Sequence, residues 1–175
     1  MIIGPVSASH QAPAGERPIL LVDVDGVISL FGFDTDDPPD GWWMNVEGLP
    51  HLCSAQAAEH LPALASDFDL VWCTGWEEKA SEHLAPLLGL EPPPPYLSFD
   101  RNPGRGHAHW KLAAIDGHAG PDRPLAWLDD ALNEACHEWA RERPGPTLLV
   151  TTDPAEGLVG RHVRELRAWA AQLLD

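Results

Sequence analysis

At 175 residues the chain has room for one domain with a full core and too little for two large ones. Hydrophobic residues make up 44% and charged residues 22%, a globular composition, and no apolar run approaches the length that spans a bilayer. The formal net charge of −16 excludes an extended nucleic-acid surface or an anionic-membrane surface, since both need clustered Lys and Arg.

Residues 1–18, "MIIGPVSASHQAPAGERP", lack the basic start and continuous apolar core of a secretory signal and read as a flexible tail. A single domain is expected over 19–175, with the cytoplasm as its location. Cys53, Cys73 and Cys136 show neither a paired framework nor metal-ligand spacing, which fits reduced thiols.

The apolar run 19–24 predicts a strand buried on both faces, ended by Gly26. Residues 29–50 mix aromatics with an Asp and Pro cluster, which predicts a small flap around a turn near Pro38 to Gly41. A helix follows over 54–66 with a kink or fresh start at Pro62, then a second buried strand over 68–73. A helix over 77–88 ends at Gly89, and four prolines at 92–95 lead into "YLSF", a third strand candidate. Residues 109–116 form a short helix carrying Lys111, 124–130 a fourth strand, 131–142 a helix and 146–152 a fifth strand. Val159, Val163, Leu166, Trp169 and Leu173 give the last helix its apolar face.

Strands alternating with helices predict the α/β class, with a central parallel sheet of about five strands and helices on both faces. That is a Rossmann-like three-layer sandwich, here without a large cap domain. Such sheets bind ligands beyond the carboxyl ends of their strands. Asp23 and Asp25 follow the first strand, Thr74 and Gly75 the second, Asp129 and Asp130 the fourth. A pair of anions at the end of a buried strand is costly to hold, because desolvation and mutual repulsion disfavour both charges. A bound cation or a proton shared for chemistry would offset that cost. Phosphoryl transfer uses such a set: a nucleophile, a proton handler, oxygen ligands for a metal, and donors that fix the transferring oxygens.

In their order, "DVDGV", "CTGWE", Lys111 and "WLDD", these motifs resemble the four signatures of the haloacid dehalogenase superfamily. The resemblance spans 23–130 and implies that Asp23 is the nucleophile and Asp25 the general acid and base. It implies Mg²⁺ held by Asp23, the Asp25 backbone carbonyl and Asp129, with Asp130 assisting directly or through water. Thr74, the Gly75 N–H and Lys111 would bind the phosphoryl group. An acid at position 25 favours a phosphatase over a dehalogenase, because a leaving alkoxide must be protonated. A narrower likeness is to small bacterial domains that read like the phosphatase modules of RNA-repair proteins, which lack a large cap. The segments 27–68 and 75–111 are too short for a cap, so an open site is expected. Its substrate would be a phosphorylated small molecule or a nucleic-acid end. Rival readings are a phosphotransferase and a binding module that keeps the fold without turnover.

A calcium loop is a poor fit to "DVDGV", since position 27 is Val and position 34 is Asp where an acid or amide and a Glu are needed. Trp42, Trp43 and Trp76 invite a stacking role, with flap and core packing as the simpler reading. His107 and His109 find no third metal ligand at suitable spacing and read as a polar loop. Lys79, the competitor of Lys111, falls on a solvated helix face.

Overall fold

The computed structural model describes residues 16–100 and 106–175. Positions 1–15 of the expected tail lie outside the described residues. The chain is already anchored at Arg17, however, whose guanidinium donates to Asp69 Oδ1 at 3.2 Å and to the Ala65 carbonyl at 2.8 Å.

Strand β1 (Ile19–Val22) pairs in parallel with two later strands. The flap strands β2 (Ser29–Leu30), β3 (Gly41–Val46) and β4 (Leu49–Ser54) come next, then helix α1 (Ala55–Leu64) and strand β5 (Asp69–Trp72). Helix α2 (Leu112–Ala119), strand β6 (Leu125–Asp129), helix α3 (Glu134–Glu142), strand β7 (Thr147–Thr151) and helix α4 (Gly160–Gln172) complete the order. The main sheet is parallel, four strands in the order β5-β1-β6-β7.

Alternation along β1 divides the core into two. Leu20 and Val22 join Leu61 and Leu64 of α1 and Val163 and Leu166 of α4 on one face. Ile19 and Leu21 join Ile115 of α2 and Cys136 of α3 on the other. Side chains of successive strand residues point to opposite faces, so an unbroken apolar run is what a doubly covered sheet requires. Among the described residues no helix is long and apolar enough to cross a membrane.

Three expectations need correction. The "YLSF" segment makes only an isolated parallel bridge, Tyr96 to Trp72, in place of a third strand. The prolines before it have no N–H to donate to a ladder. The flap is an antiparallel sheet, β2-β4-β3, whose hairpin turns at Glu47 and Gly48. Residues 38–41 lead into β3 instead. Both turn residues have positive φ, 52° and 84°, the left-handed pair that tight hairpins need. The helix expected over 77–88 is shorter, helical from Glu78 and passing into a π-helical turn at Ala80–Leu84, where the Ala85 N–H reaches the Ala80 carbonyl at 3.1 Å. Pro86 has no N–H with which to extend an α-helical ladder. By contrast, α1 runs through Pro62 without a break, started by Ser54 Oγ accepting the Ala57 N–H at 3.1 Å.

The start of α4 carries a pH-dependent contribution. His162 is buried, and its Nδ1 accepts the Val159 N–H at 3.1 Å, which requires the neutral ring. Burial, aided by Arg161, holds its pKa below the usual histidine value. A depressed folded pKa means stability that is complete above the unfolded value of about 6.5 and is lost as pH falls through the folded value. His162→Gln keeps an acceptor that does not titrate. The difference in melting temperature between wild type and this variant is therefore expected to shift in favour of the variant between pH 7.5 and 5. A pH-independent difference would contradict this account.

Candidate functional site

Adjacent parallel strands β5, β1 and β6 bring their carboxyl ends to one edge of the sheet, and the motif residues lie there. Asp23 directly follows β1, Asp129 closes β6, and Thr74 stands two residues beyond β5. Together with Asp25, Gly75, Lys111 and Asp130 they line one cleft of about 580 Å³, which also takes in Phe31, Trp76, Gly106, His107, Trp110 and Ala131.

The floor of this cleft is an anion cluster crossed by one cation. Lys111, only 3% exposed, places its Nζ 2.6 Å from Asp129 Oδ2 and 3.3 Å from Asp23 Oδ1. The Val24 N–H donates to the same Asp23 Oδ1 at 2.8 Å. Oδ2 is therefore the oxygen left to meet a ligand. Asp129 Oδ1 accepts the Ala131 N–H at 2.9 Å, which fixes that carboxylate in turn. One oxygen from each of Asp23, Asp129 and Asp130 lies within 4.8 Å of the others.

Burial pushes the Asp23 carboxyl well above its ordinary range, Lys111 pulls it back, and Asp129 and Asp130 add to the rise. Asp130 is pushed up to about 6, first by burial and then by Asp129. Burial alone would lower the Lys111 pKa, but Asp23 and Asp129 outweigh it and hold the ammonium charged. Three carboxylates against one cation leave excess negative charge, and an all-oxygen donor set of this kind suits a hard divalent cation.

Asp25 is placed differently from the other three. Its side chain is exposed at the cleft mouth and Oδ2 accepts the Trp76 indole N–H at 3.1 Å. The side-chain cluster is thus Asp23, Asp129 and Asp130, while the Asp25 carboxylate is held apart from it. Thr74 is buried, and its Oγ1 accepts the Trp76 backbone N–H at 3.2 Å, leaving the hydroxyl proton free to donate. Lys79 pairs with Glu47 at the surface, far from this chemistry in kind: both side chains are largely exposed.

Gly26 explains how Asp130 reaches the cluster. Its φ is +80°, and a Cβ there would collide with the Asp130 side chain, 2.7 Å from its Cβ. The Gly26 carbonyl accepts the buried Thr152 hydroxyl at 2.7 Å, so the loop after β1 is tied to the end of β7.

Of the three tryptophans singled out for stacking, Trp42 packs against the core and Trp43 stands exposed on the flap, 6.3 Å from Phe33. Only Trp76 lines the cleft. His107 and His109 stack at 3.9 Å, and His109 Nδ1 is engaged with Asn133 Nδ2 at 2.8 Å, an arrangement that holds a loop. Phe31 and Trp110 also line the cleft and were not singled out in the sequence, since an aromatic near a motif reads as ordinary packing. Gly26 did carry a signal, standing directly after the two aspartates. No family model matches the sequence, and no curated protein matches it.

Proposed function

We propose that the chain is a phosphomonoester hydrolase of the haloacid dehalogenase type, acting through an aspartyl phosphate on Asp23. The observation that carries this reading is the buried Lys111 ammonium bridging Asp23 and Asp129 at the ends of neighbouring strands, with Asp130 beside them. An amine so placed neutralises a nucleophilic carboxylate and an incoming phosphate together.

Asp23 Oδ2 attacks phosphorus while the bond from phosphorus to the ester oxygen breaks, and Asp25 gives its proton to the departing oxygen. Asp25 then takes a proton from water, which attacks the same phosphorus and releases inorganic phosphate and free Asp23. The Thr74 hydroxyl, the Gly75 N–H and Lys111 hold the non-bridging oxygens. Asp23, Asp129 and Asp130 would hold Mg²⁺, with the Asp25 carbonyl as a further ligand, and the ion would supply positive charge against the phosphate.

The insertion between β1 and β5 is only the small flap and α1, so the cleft stays open. Room for a nucleic-acid end is therefore available, while the acidic chain favours a small phosphorylated molecule. The three buried free cysteines agree with a reducing, cytoplasmic setting.

Purified protein is expected to release phosphate from a panel of p-nitrophenyl phosphate, phosphoserine, sugar phosphates, mononucleotides and 3′-phosphorylated oligonucleotides in the presence of Mg²⁺. Chelation should bring release to background and added Mg²⁺ should restore it. Release untouched by chelator, or none on any substrate, would remove the support for this reading.

A further inference from the structure

Of the four site carboxylates, the one assigned to proton transfer is the exposed one. Asp25 is exposed at the cleft mouth, where an aspartate samples several rotamers and few of them aim an oxygen at a leaving group. The donor that restrains it is Trp76, whose Nε1 lies 3.1 Å from Oδ2. An indole N–H donates and cannot accept, so it can orient this carboxylate without taking its proton.

Trp76 is itself held from two sides. Its backbone N–H is fixed on Thr74 Oγ1 at 3.2 Å, and its ring meets the edge of His51 with centroids 4.8 Å apart. His51, on β4, is tied through Nδ1 to the buried Ser29 Oγ of β2 at 2.9 Å. Ser29 in turn forms a backbone bridge with Asp25. The contacts therefore close on themselves: Asp25 to Trp76, to His51, to Ser29, and back to Asp25.

We infer that Trp76 is a positioning residue that fixes Asp25 Oδ2 so that Oδ1 faces the leaving oxygen, and that the flap supports it through His51 and Ser29. This rests on the phosphatase reading above and adds to it a task for the flap: holding the acid rather than covering the substrate. A tryptophan in this role acts on leaving-group protonation and leaves phosphate capture alone.

That distinction sets the test. kcat/KM reports steps only as far as departure of the leaving group, and a poor alkoxide leaving group needs the acid where p-nitrophenolate does not. Trp76→Phe keeps an aromatic ring and removes the N–H. It is expected to lower kcat/KM for phosphoserine about tenfold or more and for p-nitrophenyl phosphate less than about threefold. His51→Ala, which leaves Trp76 intact, should give the same selectivity with smaller losses. In an Asp25→Asn background Trp76→Phe should add nothing, because the two residues act as one unit. Equal losses on both esters, or a further loss in the Asp25→Asn background, would overturn the inference while leaving the phosphatase reading in place. No Asp23-dependent release by the wild type on either ester would overturn both.

Discussion

Asp23→Asn is expected to abolish Mg²⁺-dependent phosphate release, by about three orders of magnitude or more, without loss of the fold. The substitution is nearly isosteric, and its carbonyl oxygen can still accept the Val24 N–H that now meets Oδ1 at 2.8 Å. What disappears is the oxygen anion that, on the proposed route, would attack phosphorus. Stability should hold or rise, because the wild-type carboxyl is buried beside Asp129 and Asp130 and is pushed well above its ordinary pKa, first by that burial. A neutral amide removes this desolvation and repulsion. The decisive measurement pairs turnover with a thermal melt. Undiminished release from a well-folded variant would sink the assignment of Asp23, and with it the covalent route.

The second large effect is expected at Lys111. Replacing it with Met keeps the stem's volume and removes the ammonium, leaving Asp23 and Asp129 facing one another without their shared partner. Breaking a buried pair from one side typically costs about 3–5 kcal/mol, and here two carboxylates are orphaned together. In chelator, urea unfolding of Lys111→Met should therefore show a loss of that order. A divalent cation bound among the three aspartates would replace part of the missing charge, so Mg²⁺ should stabilise the variant more than the wild type. A loss below about 1 kcal/mol, with equal Mg²⁺ effects in both proteins, would show that the lysine is electrostatically incidental.

Much of the sheet was legible because burial on both faces leaves a plain mark. The runs 19–24, 68–73, 124–130 and 146–152 contain the four observed strands. Strands β1 and β6 are buried throughout, while the edge strand β7 is only half-buried and was read from its β-rich Thr, Leu and Val. Segments whose fate depends on hydrogen-bond supply were less legible. Pro92 to Pro95 and Pro86 withhold N–H groups, turning an expected strand into a single bridge and shortening an expected helix to one that ends in a π-helical turn. The flap hairpin was misplaced because the Pro and Asp cluster at 38–40 outweighed the Glu47–Gly48 pair, where the backbone reverses with positive φ.

At the site, the aspartates, Thr74, Gly75 and Lys111 were readable from strand-end positions and motif order, and they line one cleft. The gathering of Asp23, Asp129 and Asp130, with the Asp25 side chain set apart, was implied by the resemblance, whereas the donor that holds the Asp25 carboxylate was not readable. Asp25 and Trp76 are 51 positions apart, and nothing local tells an exposed carboxylate which donor will face it. Asp130 reaches the cluster only because residue 26 has no side chain, a dependence that exists between two loops and in neither alone.

That dependence bears on how such a site can be retuned. Two separate conditions, a left-handed backbone and a vacant Cβ position, forbid any other residue at 26. The loop after β1 is thus closed to adaptation, and so is the side chain it admits. On the proposed reading, retuning for another substrate would fall to Phe31, His107 and Trp110, which line the same cleft and are not among the three gathered carboxylates. On that reading the backbone at residue 26 is fixed by the cluster it admits, while the aromatic lining of the cleft is not.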